Sequence, residues 1–305
     1  MRSAYTNRSD LRELHPRLSQ RALKPAIKAL QGFQLDTRRP DFEVRGYGRT
    51  HVGRKRLANE DSYWILPDHS LFIVADGMGG HAGGQIASTI ATHEMGRQVT
   101  QLLHRAEQHE RSSGEPVDIY RVLKEALDNA NHQVIQLTET YPSLESMGST
   151  LTALLAYQDK AYLAHVGDSR AYLIRDEQII QVTEDHSYVQ ELVNFGEITP
   201  EEAYSHIRRN LILRSVSRNS AHMDLADVGV VPLREGDRFL LCSDGLIEHV
   251  RDQDILETTL NHHPAQVPQA LIERANSSEH RSSSGVGTDN TTVVLVEIGK
   301  RRARR

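Results

Sequence analysis

Leu71-Phe72-Ile73-Val74-Ala75-Asp76-Gly77-Met78-Gly79-Gly80-His81-Ala82-Gly83-Gly84 is the stretch from which the fold can be read. Its first five residues are apolar without a break, the pattern of a strand buried on both faces. The strand runs straight into Asp-Gly and two glycine pairs, which allow tight backbone passage. No Gly-Lys-Ser/Thr follows, so a nucleotide P-loop is rejected. A helix is predicted over 85–103, with Ile86, Ile90 and Val99 on its inner side. Upstream, 62–66 reads as a second strand, joined through Pro67-Asp68 into a hairpin-like pair. Residues 43–53 form a further strand and turn.

Downstream, the polar residues 106–117 with Gly114 and Pro116 read as a loop, and 118–140 as a long amphipathic helix. Strands are predicted at 150–157, 161–166 and 171–174, and then a helix at 188–195 and a polar stretch at 196–210. Two more strands (225–231, 238–242), two helices (252–260, 265–276), a Ser-rich link (277–287) and a last strand (291–298) complete the chain. Strands in clusters, separated by long helices, are not the alternation of a doubly wound sheet. They predict an α+β domain of antiparallel sheets covered by helices. That domain is placed at 41–299, between a basic N-terminal extension, 1–40, and a basic C-terminal tail, 300–305.

With 305 residues, 38% hydrophobic and 25% charged, the composition is that of a soluble globular protein. No run approaches the ~18 apolar residues of a membrane-spanning helix, and no apolar stretch near the start resembles a secretory signal. The single cysteine, Cys242, excludes an intramolecular disulfide framework and any zinc site of several cysteines. It sits in an apolar run, reads as core packing, and suits a reducing, cytoplasmic setting. The net charge of −5 hides a polarised chain. Residues 1–40 carry +6 and residues 300–305 carry +5, which leaves −16 for 41–299. An acidic body is the reverse of a nucleic-acid grip, so no nucleic-acid partner is expected. In the extension, Leu11, Leu14, Leu18, Leu23, Ile27 and Leu30 recur near helical spacing. This favours a docking arm or packed helix over a transit peptide.

Acidic residues stand where apolar runs begin or end: Glu60-Asp61, Asp76, Asp168, Asp244 and Asp289. One Asp-Gly is only a turn. Five such sites on rigid strand ends can be aimed at one point, where their mutual repulsion asks for divalent cations. All-oxygen ligation suits Mg²⁺ or Mn²⁺.

Six segments then match a known pattern in order. They are Arg56-Leu57-Ala58-Asn59-Glu60-Asp61, Ile73 to His81, Met147-Gly148-Ser149-Thr150-Leu151-Thr152, Val166-Gly167-Asp168-Ser169-Arg170, Leu240 to Leu246, and Gly287 to Thr292. Over about 43–298 the chain resembles the metal-dependent PPM (type 2C) serine/threonine protein phosphatases, bacterial type. The resemblance implies a four-layer αββα sandwich with two central antiparallel sheets and a binuclear Mn²⁺ or Mg²⁺ centre. It further implies that Asp76 bridges both ions, that the Gly77 carbonyl binds the first, and that Glu60, Asp244 and Asp289 hold the second. Asp61 is then an acceptor for metal-bound water, and Asp168 with Asp244 matches a weaker third-metal position. Segment 196–210 matches the family's flap, where Asn210 stands near a position that is often serine.

The implied reaction is hydrolysis of phosphoserine or phosphothreonine by a hydroxide bridging the metals, with Arg56 gripping two phosphate oxygens through its planar fork. Met78 replaces the histidine of eukaryotic relatives; His81 is the candidate for leaving-group acid. His186 reads as a loop-orienting residue. Substrates are expected to be phosphorylated proteins, a serine/threonine kinase and its targets among them, handled by a monomer. The alternatives are a phosphoprotein-binding pseudophosphatase, which loss of the metal carboxylates would signal, and a small-molecule phosphomonoesterase.

Overall fold

A computed structural model describes residues 40–80, 82–220, 224–277 and 287–301. In chain order the strands are β1 (Phe42–His51), β2 (Ser62–Leu66), β3 (Leu71–Ala75), β4 (Gly77–Met78), β5 (Gly148–Ser149), β6 (Leu151–Tyr157) and β7 (Lys160–Val166). They continue with β8 (Arg170–Arg175), β9 (Gln178–Gln181), β10 (Val216–Ser217), β11 (Asp227–Pro232), β12 (Arg238–Cys242) and β13 (Thr291–Arg301). One five-stranded sheet has the order β11-β7-β6-β3-β2 and the other β1-β13-β12-β8-β9; a small third sheet joins β10-β5-β4. Every pairing is antiparallel.

The unbroken apolar strands are explained by burial on both faces. Along β3, Leu71 and Ile73 pack under the helices α1 (Ala82–Ser113) and α2 (Ile119–Thr140), whereas Phe72 and Val74 point between the two sheets. Across that inner layer they share a core with Phe239, Leu241, Val294 and Val296. The alternate residues of the second sheet, Leu240, Cys242, Val293 and Leu295, face outward. They pack against α5 (Asp244–Ile247), α6 (Asp252–Asn261) and α7 (Val267–Ala275), while α3 (Tyr188–Asn194) and α4 (Pro200–Ser205) lie on the 188–211 segment. The period of two along each strand thus builds helix, sheet, sheet and helix, the αββα layers expected. Cys242 is a free, buried cysteine, as read.

Three local expectations change. The loop at 106–117 begins later: α1 runs to Ser113, because the polar residues 106–113 are competent helix formers. The helix stops at Gly114, whose φ of +79° lies in the left-handed region; its N–H caps the Glu110 carbonyl at 2.9 Å. The polar stretch 196–210 contains α4, opened by a Thr199/Glu202 capping box with Pro200 at its first turn. The last strand passes residue 299, pairing Arg301 with Phe42, so Lys300 and Arg301 extend the sheet. The readings of residues 1–39, of His81, and of 302–305 fall outside the described residues.

Candidate metal centre

Antiparallel register brings the acidic strand ends to one edge. Ala75 at the end of β3 pairs with Ser62 at the start of β2, which sets Asp76 beside Asp61. Cys242 pairs with Val293, which carries Asp244 toward Asp289. Between them, Val166 pairs with Leu151, and Asp168 stands on the next turn.

Each carboxylate is held by its own anchors. Asp61 is buried, and its Oδ2 accepts from Ser243 Oγ and Thr292 Oγ1, both at 2.7 Å. Asp76 is fixed through its backbone: its N–H donates to Thr150 Oγ1 (2.9 Å), and its carbonyl accepts from Thr150 N–H (2.9 Å) and Ser149 Oγ (3.0 Å). Asn290 ties the 52–60 loop to β13. Its Oδ1 accepts from Glu60 N–H (2.8 Å), and its Nδ2 donates to the Val52 and Ala58 carbonyls at 2.9 and 3.0 Å. Arg56, on that loop, donates from Nη2 to Asp289 Oδ2 at 2.6 Å. Glycine is required where these segments cross. A Cβ on Gly77 would strike the Gly84 and Glu60 carbonyls, and one on Gly84 would strike Glu60 Oε2.

The electrostatics are those of crowded anions. Burial pushes Asp61 up to about 6 despite the Thr292 and Ser243 hydroxyls, and burial with the Asp185 charge lifts Asp168 to about 7. Burial first, and then the neighbouring carboxylates, hold Asp76 and Asp244 well above the ordinary range. Asp61 Oδ1, Asp168 Oδ1 and Asp244 Oδ1 are buried without a hydrogen-bond partner among the described residues. Among those residues no three His, Cys, Asp or Glu side chains stand close enough together to hold a metal ion as they are. Arg56 offsets part of the carboxylate charge through its ion pair with Asp289. Orphaned carboxylate oxygens on rigid strand ends fit hard divalent cations, which would remove the repulsion.

Family-level likeness follows the geometry. A family model described as protein phosphatase 2C matches residues 47–281. The chain belongs to the protein phosphatase 2C family. Serine/threonine protein phosphatase PstP of Mycobacterium tuberculosis is 38% identical over 255 residues, covering 84% of this chain and 45% of that protein. The chain therefore spans about half the length of that relative. Serine/threonine phosphatase stp of Listeria monocytogenes is 34% identical, over 82% of this chain and 94% of its own. The crystal structure of the M. tuberculosis PstP/Ppp phosphatase superposes with a TM-score of 0.70 at 38% identity, over 84% of this chain and 99% of that one. A structure of the PstP catalytic domain holds two manganese ions (TM-score 0.66, 37% identity, 84% and 99% covered). The protein phosphatase 2C fold and the family read from the motifs are thereby shown.

The structure gathers Glu60, Asp61, Asp76, Gly77, Asp168, Asp244, Asp289 and Arg56 at one sheet edge, while His81 lies outside the described residues. The supporting residues Thr150, Ser243, Asn290 and Thr292 stand within the matched segments, but the motifs assign them no role. Motif reading missed Arg209 and Glu248, an ion pair at 3.5 Å, and Arg251, which stacks 4.0 Å from the Tyr204 ring. These contacts hold the 196–210 segment over a cavity of about 660 Å³ that opens beside Asp168 and Asp244, with Asn210 on its wall. Glu248 lies one helical turn after Asp244, a spacing that could have flagged it. Nothing local marks Arg209.

Proposed function

We propose that the chain is a metal-dependent protein serine/threonine phosphatase acting on phosphoserine and phosphothreonine. The observation that carries this reading is the convergence of the strand-end carboxylates, with buried oxygens left unpaired, beside an arginine fork. Asp76, the Gly77 carbonyl, Glu60, Asp244 and Asp289 would hold two Mn²⁺ or Mg²⁺ ions, and Asp168 with Asp244 a weaker third. Bound there, such ions supply Lewis acidity, offsetting the phosphate dianion and acidifying water.

The chain's own groups do the rest. Arg56 binds and orients the phosphate through two parallel N–H donors, which a lysine cannot reproduce. Asp61, fixed by Ser243 and Thr292, accepts a proton from water at its free Oδ1. The Arg209–Glu248 and Tyr204–Arg251 contacts keep a wall beside the phosphate where flanking residues of a protein substrate would lie. His81 remains our candidate leaving-group acid, three residues beyond Met78.

The name of the M. tuberculosis relative, a serine/threonine protein phosphatase, supports protein substrates; a serine/threonine kinase and its targets are proposed among them on the motif resemblance alone. Action as a monomer is part of the same proposal. Among the described residues no helix is long and apolar enough to cross a membrane, and the buried Cys242 suits a cytoplasmic setting. The test is phosphate release from a phosphothreonine peptide and from a chromogenic phosphate ester, each with Mn²⁺ and with chelator. Metal-dependent release that favours the peptide is expected. Preference for the small ester would mark a phosphomonoesterase, and peptide binding without release a pseudophosphatase.

A further inference from the structure

His186 lies between β9 and α3 and is 4% exposed. Its backbone N–H donates to the Gly167 carbonyl at 2.7 Å, and its Nδ1 accepts from the Gly167 N–H at 3.2 Å. Both polar groups of one glycine are therefore held by one residue. Gly167 has φ of +108°, and a Cβ there would lie 2.5 Å from the Thr150 side chain. Thr150 meets Ser169 Oγ at 2.7 Å, on the other side of Asp168. The Gly167-Asp168-Ser169 turn is thus clamped from both flanks, while Asp168 Oδ1 is left unpaired among the described residues.

The ring is itself oriented. Nε2 lies 3.0 Å from Asp227 Oδ2, and Asp227 also receives Arg214 at 3.0 Å. With Nε2–H donating to Asp227, Nδ1 is left as the acceptor that Gly167 needs. The His186 carbonyl accepts from Leu213 N–H at 2.8 Å, and Tyr188 N–H donates to the Leu211 carbonyl at 2.8 Å. These bonds close the root of the 188–211 segment that walls the cavity.

We infer that His186 is a positioning residue, which aims Asp168 into the carboxylate cluster and ties that turn to the root of the 188–211 segment. The inference rests on the proposed function only in taking Asp168 as a ligand for a divalent cation. Removing an oriented partner of this kind typically costs about tenfold or more in metal affinity.

Mn²⁺ titration by calorimetry, and trypsin cleavage at Arg208-Arg209 in metal-free protein, test it on wild type, His186→Leu and His186→Asn. Asn keeps an acceptor where Nδ1 stood. His186→Leu should weaken the weakest class of Mn²⁺ sites by about tenfold and speed cleavage several-fold. His186→Asn should stay within about twofold of wild type on both readouts. Should His186→Leu fail to fold, Asp227→Ala replaces it, since Asp227 is half exposed; a shift of about threefold in the same direction is expected. Wild-type binding and cleavage in the His186→Leu protein would overturn the inference, as would equal damage from His186→Asn. A wild type that binds no Mn²⁺ would sink the metal reading instead, and the metal-free cleavage rates would still decide on the clamp.

Discussion

Arg56 Nη2 and Asp289 Oδ2 are 2.6 Å apart, joining the loop before β2 to the turn before β13. One guanidinium therefore rests on a carboxylate that we assign to a metal ion. On that assignment a cation would compete with Arg56 for Asp289 and free the guanidinium for phosphate. In Arg56→Ala, loss of the phosphate fork should raise KM for a phosphopeptide by about tenfold or more. Mn²⁺ affinity should hold or rise, because a competitor for Asp289 is gone. Parallel kinetics and calorimetry check this; weaker Mn²⁺ binding would place Arg56 in the metal scaffold instead.

The raised carboxyl groups set a pH dependence for the metal-free protein. Asp61 near 6 and Asp168 near 7 lie above an unfolded value of about 3.9, so the folded state binds more protons. Stability from these groups is full below about pH 4 and is lost as pH rises through 6 to 7. Metal-free Tm should fall by roughly 5 °C between pH 5 and 8, and Mn²⁺ should restore it. Thermal melts with chelator and with Mn²⁺ read this directly. A chelated protein that gains stability across that window would refute the assigned crowding.

Thr292→Val should separate support from chemistry. The Thr292 hydroxyl donates to buried Asp61 and also meets Thr50 Oγ1 at 2.7 Å. Its loss should cost about 1–3 kcal/mol by urea unfolding and lower turnover more than it changes KM. Unchanged unfolding would show that Asp61 does not depend on this bond.

Gly84→Ala should harm the site more than the helix that carries it. Gly84 lies in the first turn of α1, where alanine favours the helix by about 1 kcal/mol. Its Cβ would nevertheless strike Glu60 Oε2 and lie 2.8 Å from the Gly77 carbonyl, so the Glu60 side chain and the Asp76-Gly77 turn must both give way. Circular dichroism should show a folded protein with a lowered melting point, and Mn²⁺ affinity should fall by about tenfold. Wild-type affinity would remove Glu60 from the ligand set.

The layers were legible because strand burial on both faces leaves unbroken apolar runs, as at 71–75 and 239–242. The end of α1 was not, because residues 106–113 are polar yet helix-forming and only Gly114 stops them. The carboxylates were legible as strand-end residues, and the family resemblance gave them roles. Their supports were not: Ser243 and Thr292 reach Asp61 across 182 and 231 residues of chain, and only the folded register brings them there. The capping box at Thr199 was a local signal left unread within the polar stretch.

We assign to this carboxylate edge the hydrolysis of phosphoprotein with divalent metal. Its most direct test is the initial rate of phosphate release from a phosphothreonine peptide against Mn²⁺ concentration, for wild type and Asp244→Ala, with folding of both checked by circular dichroism. We predict a saturable, chelator-sensitive rate in wild type and background release in the folded variant. Release that ignores chelator, or that survives Asp244→Ala undiminished, would contradict the account.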